Sequence, residues 1–323
     1  MRNPIAVAFL STLCAFAASY AAHAQQQQAP YQMPPDNQRC PTRWGAGDQR
    51  GSANWQSAET VLRATKLIRT GEVFELGDVL SPDPKEAFIN DNRQYNIYTK
   101  PTNPIPNARS ENEELIITEL GQIGTQLDAL SHQMWGDSFY NCFKQGEIAT
   151  RYGFKKLGAE LIGNLMTRAV VIDVAGYKGV DILPAGYVIT PDDLKNALAK
   201  QVLAPQRGDA IIINTGFGRL LGKDNVRYGK DSPGIGIAAA RYLATLEPML
   251  VGADNCCVEV RPSEPGMSLP VHSFMLIQNG VMLLENLKLE KLVAAHVQEA
   301  AFIMQPLKLK GATGSAVAPV MIR

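Results

Sequence analysis

The chain has 323 residues, and its 31 Lys and Arg residues balance its 31 Asp and Glu residues. It contains no basic stripe and no acidic tail, which argues against nucleic acid as a partner. The length suits one large domain or two small ones.

The first 24 residues have the layout of a secretory signal peptide. Arg2 gives a positive start, residues 5–22 are mostly small and apolar, and Ala22-His23-Ala24 is a small-x-small cleavage site. A membrane anchor is the alternative, but a spanning helix needs ~20 strongly apolar residues, and polar side chains interrupt this run. We predict cleavage after Ala24, a periplasmic or secreted protein, and no membrane association.

Residues 25–38 are rich in Gln and Pro and have no apolar period, which predicts a disordered leader before one domain at 39–323. An oxidising compartment permits disulfides, and Cys40–Cys142 is the pair to test. The alternative is that all the cysteines after the signal peptide are small buried residues. The adjacent Cys256-Cys257 is not a zinc knuckle, because the chain has no C-x-x-C spacing.

The sequence predicts four helices, and a long loop follows the first of them. Residues 57–69 open with a Ser and carry apolar side chains at helical intervals. Residues 81–112 are polar and Pro-rich, which predicts an extended loop of a length typical of lids or binding loops. Thr190 is a predicted N-cap, with Pro191 at the first position of a helix to about Gln201. The remaining two helices are predicted at 236–246 and 289–301.

Short apolar and β-branched runs between these helices predict strands. These runs lie at 169–174, 210–214, 249–251 and 281–284. Strands that alternate with helices indicate an α/β domain with a substantial sheet.

The segment 119–132 is the most informative in the chain. Leu115-Ile116-Ile117 reads as the start of a strand, and if that strand continues, alternate residues share one face because the side-chain period is two. The residues on that face are Gln122, Gly124, Gln126 and Asp128. Their oxygen atoms, with the imidazole of His132 beyond them, can bind a metal or position a water. The alternative is a solvated strand face.

Histidine is scarce, with four in the chain, one of them inside the predicted signal peptide. His296 lies in a helical run and reads as a surface or packing residue. The others are His132 and His272. The Asn279-Gly280 pair after His272 can end a helix or turn a hairpin, which can bring Glu285 back beside His272. A capped loop histidine and a surface carboxylate are the alternatives for these two residues.

At these residues the chain resembles the cyclase-like metal hydrolase family that includes bacterial kynurenine formamidase and isatin hydrolase. The family motif His-x-Gly-Thr-His-x-Asp-x-x-x-His stands here as Gln122-x-Gly124-Thr125-Gln126-x-Asp128-x-x-x-His132. A later His and Glu of the family match His272 and Glu285. Further matches cover most of the folded chain and look like the longer branch of the family; they include 44–54, 173–179, 184–187, 252–255, 285–287 and 311–315.

The resemblance implies a mixed β-sheet or barrel-like core flanked by helices, of the swivelling β/β/α type, and a homo-oligomer (dimer or tetramer). It also implies Asp128, His272 and Glu285 as metal ligands. Both ligand histidines of the family motif are glutamines here, Gln122 and Gln126. Since an amide oxygen is a poorer ligand for Zn²⁺ than imidazole, we expect one divalent metal, Zn²⁺ or Mn²⁺. The two Gln would add an oxygen ligand or orient the substrate.

The expected activity is hydrolysis of a small amide or lactone by a metal-activated water, with His132 as general acid/base. Thr125 and nearby backbone N–H groups are candidates to stabilise the oxyanion. Trp44, Asn54 and Trp135 are candidates for substrate binding, and core packing is the alternative for the aromatic residues. The rivals are a metal-dependent cyclase or dehydratase, and a periplasmic ligand-binding protein with a degenerate site. A serine hydrolase is disfavoured, because no Gly-x-Ser-x-Gly elbow occurs.

Overall fold

The computed structural model describes residues 30–88, 93–101 and 109–323. The predicted signal peptide, the first part of the predicted leader, and Pro104 and Pro106 of the predicted loop lie outside the described residues. Within the described part, every helix is too short or too polar to cross a bilayer.

A nine-stranded mixed sheet forms the centre of the fold. The strands are β1 Val73–Glu75, β2 Tyr95–Pro101, β3 Asn112–Thr118, β4 Gln126–Asp128, β5 Ala149–Thr150, β6 Gly153–Phe154, β7 Leu165–Asp173, β8 Val188–Ile189, β9 Ala210–Asn214, β10 Gly234–Ile235, β11 Leu250–Ala253, β12 Met282–Glu285, β13 Glu299–Met304, β14 Gly314–Ala316 and β15 Val320–Ile322. The order in the large sheet is β1-β15-β13-β7-β9-β11-β12-β4-β14. The central strands β7, β9, β11 and β12 are parallel, and antiparallel strands flank them.

Helices pack around this sheet. They are α1 Asp36–Arg39, α2 Ala58–Thr65, α3 Gln145–Ile148, α4 Val174–Lys178, α5 Pro191–Gln201, α6 Asn225–Tyr228, α7 Ile237–Thr245, α8 Pro270–His272 and α9 Glu290–Ala294. A π-helix at Ser273–Gln278 follows α8 directly, and short 3-10 helices lie at Gly51–Trp55, Tyr140–Cys142, Ala159–Leu161 and Phe217–Leu220. The predicted mixed sheet flanked by helices is therefore confirmed.

Local sequence signals placed most elements correctly. Helix α5 has the predicted bounds, and its Thr190 cap accepts a hydrogen bond from the Asp193 backbone N–H. The predicted helix at 57–69 is confirmed with an earlier end, at Thr65. The four predicted strands correspond to β7, β9, β11 and β12, whose residues are almost all buried. Strands covered on both faces read as continuous apolar runs, which is why they were visible in the sequence.

The predicted helix at 289–301 is wrong in its second half. Helix α9 ends at Ala294, and strand β13 begins at Glu299. Strand β13 pairs with β7 on one side and β15 on the other, and it buries Phe302 in the core. Pairing on both sides outweighs the local helical pattern, because it satisfies the backbone of a segment whose apolar side chains also suit a strand.

The predicted strand from Leu115 towards Asp128 is also wrong. Strand β3 ends at Thr118 and pairs with β2 in a separate two-stranded antiparallel sheet, so residues 95–101 of the predicted loop form a strand. A turn follows, and strand β4 joins the large sheet beside β12 and β14. Gln122 therefore lies in the turn, while Gln126 and Asp128 share one face of β4.

The end of the predicted leader is packed against the domain. Tyr31 is buried, and its hydroxyl donates a hydrogen bond to Oε1 of Gln278 over 2.6 Å. Helix α1 follows, and a disulfide joins Cys40 to Cys142, the pair proposed for test from the sequence. Residues 30–38 of the predicted leader are thus attached to the domain by the buried Tyr31 ring and by the disulfide that follows at Cys40.

Candidate metal centre

Strands β4 and β12 bring three polar side chains together at one place. Their antiparallel register sets Glu285 opposite Gln126 and Leu284 opposite Leu127. Because successive side chains alternate between faces, Gln126 and Asp128 point to the same side as Glu285. Leu127 points to the other side, into the hydrophobic core. The sheet thus fixes two carboxylates beside each other.

His272 completes a buried cluster with these carboxylates. Each of Asp128, His272 and Glu285 offers one ligand atom, and these atoms lie within 4.8 Å of one another. The His272 Nε2 atom is 3.3 Å from Glu285 Oε1 and 3.7 Å from Asp128 Oδ2. The chain reverses between them at Gly280, whose φ of 63° suits glycine. The predicted approach of Glu285 to His272 is confirmed.

The chemistry of this cluster fits a divalent metal. The Oδ2 atom of Asp128 is buried and has no hydrogen-bond partner among the described residues. Burial and the neighbouring charge of Asp128 raise the pKa of Glu285 to about 8. Two buried carboxylates that repel one another are stabilised by a shared cation. Carboxylate oxygens and an imidazole nitrogen are all zinc ligands, and three protein ligands with an open fourth position are the arrangement of catalytic zinc sites.

Glu259 fixes the orientation of the His272 ring and was missed by the sequence analysis. Its Oε2 atom lies 2.8 Å from His272 Nδ1, and it also accepts the His272 backbone N–H over 3.2 Å. A carboxylate on Nδ1 keeps the proton there, so that Nε2 is left to bind a metal. Burial lowers the pKa of His272, but its hydrogen bonds with Glu259 and Glu285 outweigh this and raise the pKa well above its usual value. In the sequence, the only indication of this residue is a Glu that stands between two valines.

The two glutamines of the motif donate to the carboxylates. Gln126 Nε2 donates to Glu285 Oε2 over 2.9 Å, and Gln122 Nε2 donates to Asp128 Oδ1 over 3.1 Å. Gln126 Nε2 also lies 3.3 Å from the Gln122 side-chain oxygen. Both amides thus turn their N–H groups towards the ligand cluster. With their N–H groups on the carboxylates, the two glutamines are better placed to orient the ligands of one metal than to bind a second metal.

His132 lies at the edge of the cluster, where a proton can be exchanged. Its Nε2 atom is 3.8 Å from Asp128 Oδ2, and its side chain is 19% exposed. Burial lowers the pKa of His132, Asp128 opposes this, and His272 adds to the lowering. A neutral imidazole in this position can accept a proton from a water in the cavity.

A cavity of about 430 Å³ opens onto this cluster. Gln122, Gln126, His132, His272 and Glu285 all line it. The rest of the wall includes Arg93, Arg261, Cys256, Cys257, Ser263 and Ser268. Two guanidinium groups give this polar cavity a positive wall, which sequence reasoning did not foresee. A larger cavity of about 620 Å³ is lined by none of the three candidate ligands.

Thr125 is placed where it cannot serve as predicted. Its hydroxyl donates to the Asn286 carbonyl over 2.7 Å and accepts the Asp78 backbone N–H over 2.8 Å. It lines the larger cavity, because it points to the opposite face from Gln126. Its hydroxyl proton is therefore engaged in holding the turn before β4 rather than free for an oxyanion.

The predicted substrate-binding residues Trp44, Asn54 and Trp135 do not line the 430 Å³ cavity. Trp44 packs edge-on against Trp55 with ring centroids 4.7 Å apart. The Asn54 amide donates to Asp48 Oδ1 over 2.6 Å and so stabilises its own loop. Trp135 is 44% exposed. The two glutamines predicted with them, Gln122 and Gln126, do line this cavity.

Replacing Glu259 tests whether it positions His272. We expect Glu259→Gln to weaken binding of Zn²⁺ or Mn²⁺ by roughly 10–100-fold, because a neutral amide holds the proton on Nδ1 less strongly than a carboxylate and can also donate to Nδ1. Competition with a chelator measures this affinity, and Glu59→Gln, at an exposed position of α2, is the matched control. Equal affinity in both variants would show that Glu259 does not act on the metal centre.

Comparison with known proteins gives a consistent family. The Cyclase family model, described as "Putative cyclase", matches residues 56–260. A crystal structure described as a novel cyclase is 30% identical, with a TM-score of 0.80, over 90% of this chain and 100% of that chain. A search of curated proteins gave no match.

Two isatin hydrolases share the fold at lower identity. Isatin hydrolase A from Ralstonia solanacearum is 17% identical, with a TM-score of 0.56, over 78% of this chain and 92% of that chain. An isatin hydrolase bound to the product analogue thioisatinate is 18% identical, with a TM-score of 0.55, over 82% of this chain and 98% of that chain.

Proposed function

Because this chain belongs to the Cyclase family, we propose that it is a metal-dependent hydrolase that cleaves the acyl C–N or C–O bond of a small amide or lactone. One observation carries the proposal: Asp128, His272 and Glu285 form a buried cluster, and His272 and Glu285 line the same cavity as His132. The fold likeness to isatin hydrolases supports the reaction class.

Asp128, His272 and Glu285 would hold one Zn²⁺ or Mn²⁺, and Glu259 would keep the His272 ring in the binding orientation. When bound, such a metal acidifies water and polarises a carbonyl oxygen. The amide N–H groups of Gln122 and Gln126 hold the two carboxylates in place. These bonds reduce the freedom of the carboxylates and thereby pre-organise the site.

His132 would carry the proton. Its Nε2 atom lies 3.8 Å from Asp128 Oδ2 and its side chain lines the cavity, so it would take a proton from the attacking water and return it to the leaving nitrogen or oxygen. Arg93 and Arg261 line the same cavity. Their guanidinium groups would stabilise the negative charge that develops on the acyl oxygen and remains on the carboxylate product. This role replaces the one predicted for Thr125.

The reaction class is tested by assaying a panel of small amides and lactones, aromatic ones included, in ¹⁸O-labelled water. Hydrolysis places one solvent oxygen in the carboxylate product, whereas a cyclase or dehydratase reaction does not. The protein is assayed after loading with Zn²⁺ or Mn²⁺ and after removal of metal. Unlabelled product, or a protein that binds ligands but no metal, would contradict the proposal and favour one of the rival functions.

His132→Ala is expected to lower kcat by about 10²-fold or more, because the proton-transfer group is removed. Metal content should be unchanged, since His132 lies outside the ligand cluster. His296→Ala is the matched control, because His296 is exposed and does not line the 430 Å³ cavity. Equal kcat in the two variants would remove His132 from the mechanism.

Export to the periplasm or the medium is part of the proposal. It is supported by the composition of residues 1–24 and by the Cys40–Cys142 disulfide, a bond typical of oxidising compartments. Expression of the full chain should yield a mature protein that begins at Gln25, as N-terminal sequencing would detect. A mature protein that keeps Met1 would contradict export by a cleaved signal. The homo-oligomer stays a prediction.

A further inference from the structure

We propose that Cys256 and Cys257 are a redox-active pair that closes to a vicinal disulfide in the wall of the metal cavity. Both are free cysteines, whereas Cys40 and Cys142 are bonded to each other. The inference is independent of the proposed hydrolase activity, because it concerns sulfur chemistry at residues outside the candidate ligand cluster.

The backbone already brings the two sulfur atoms together. In an extended chain, consecutive side chains point to opposite faces, so the sulfur atoms of neighbouring cysteines do not meet. Here the two Sγ atoms are 2.9 Å apart. The chain after β11 turns tightly, with Val258 at a φ of 55° and the Glu259 N–H bonded to the Cys257 carbonyl. The two sulfur atoms therefore need to approach by only about 1 Å to reach the length of a disulfide bond.

The loop that carries the pair is fixed by buried hydrogen bonds on its N-terminal side. The Asp254 carboxylate accepts the backbone N–H groups of Thr215 over 2.8 Å and of Gly218 over 3.2 Å. The Asn255 amide donates to the Pro233 carbonyl over 2.5 Å. Because this part of the loop is ordered before any bond forms, closing the disulfide costs little conformational entropy.

The surroundings favour thiolate chemistry and allow access. Arg261 Nη1 lies 3.7 Å from Cys256 Sγ and 3.9 Å from Cys257 Sγ. A guanidinium beside a sulfur atom stabilises the thiolate, which is the attacking form in thiol–disulfide exchange. Both cysteines line the 430 Å³ cavity, so a small disulfide can reach them. Cys256 is 8% exposed and packs against a small apolar cluster, while Cys257 is half-buried, so access to the pair is from the cavity side.

The oxidant would be a disulfide, either of a small molecule or of a protein. One thiol of the pair gives up its proton and attacks an oxidant sulfur, which forms a mixed disulfide and releases one oxidant thiol. The second thiol gives up its proton and attacks the protein sulfur of that mixed disulfide, which releases the other oxidant thiol. In sum, the two protein thiols lose two electrons and two protons, and the oxidant disulfide becomes two thiols.

The test uses the whole protein, equilibrated over a range of ratios of oxidised to reduced glutathione. Free thiols are then alkylated, and tryptic fragments are analysed by mass spectrometry. The fragment from Tyr242 to Lys288 contains these two cysteines and no others, because Pro262 blocks cleavage after Arg261. We expect this fragment to become unalkylated and two hydrogens lighter as the ratio rises. The Cys40–Cys142 disulfide should stay closed throughout and serves as the internal control.

A resolving cysteine can be identified by substitution. In Cys257→Ser the internal bond is impossible, so we expect Cys256 to accumulate a mixed disulfide with glutathione in its place. The proposal is overturned if both cysteines of the unsubstituted protein stay alkylatable at every ratio. It is equally overturned if they carry only glutathione and never the internal bond. Activity is not used as a readout, so failure here is distinct from failure of the proposed function.

Discussion

Asp128→Asn is expected to remove the metal and to lower kcat/KM by about 10³-fold or more, since metal catalysis supplies several kcal/mol of transition-state stabilisation. The substitution keeps the size of the side chain and removes its charge. It also removes the Oδ2 atom that has no protein hydrogen-bond partner among the described residues. Metal content by mass spectrometry and the rate of hydrolysis measure the two effects.

The same substitution should leave the metal-free protein folded and at least as stable as before. Asp128 and Glu285 are buried carboxylates whose mutual repulsion contributes to raising the pKa of Glu285. A neutral Asn relieves that repulsion. Asp192→Asn, at an exposed position of α5, is the matched control and should change neither metal content nor rate. A metal-free Asp128→Asn protein that unfolds would mean that Asp128 has a structural role instead.

The double variant Cys40→Ala, Cys142→Ala is expected to lose about 2–5 kcal/mol of unfolding free energy. The bond closes a loop with a sequence separation of 102 residues, and cross-linking a long loop restricts the unfolded chain strongly. It also ties the segment that contains Tyr31 to the rest of the domain. Urea unfolding measures the change.

Reduction with dithiothreitol distinguishes the contribution of the Cys40–Cys142 disulfide to stability from any contribution of the Cys256–Cys257 pair. When reduced, the unsubstituted protein should lose most of the unfolding free energy that the double variant has lost. Reduction of the double variant should lower its unfolding free energy little further. A double variant within about 0.5 kcal/mol of the unsubstituted protein would contradict a stabilising role for the bond.

Local patterns in the sequence predicted much of the fold. A Thr followed by Pro placed helix α5 correctly, because capping and a fixed φ act within a few residues. Patterns that depend on a partner were less informative. The sequence pattern predicts a helix where strand β13 lies and a strand where the turn before β4 lies, because both segments depend on pairing with parts of the chain far away in sequence.

The candidate ligands could be predicted because a family motif and a later His and Glu identify them. The structure brings Asp128, His272 and Glu285 together as expected. Residues that support the site were harder to find. Glu259 carries no motif of its own, and its contact with His272 joins two segments through the fold. Thr125 lies inside the motif, but the period of the strand turns it away from the cavity.

The most direct test of the central claim is a crystal structure of the metal-loaded protein, with anomalous scattering measured at the absorption edge of Zn²⁺ or Mn²⁺. The proposal predicts one anomalous peak, at roughly 2.0–2.2 Å from the oxygens of Asp128 and Glu285 and from Nε2 of His272. Gln122 and Gln126 should remain on the carboxylates. No peak at this cluster, or a second metal bound by the glutamines, would contradict the proposed one-metal centre.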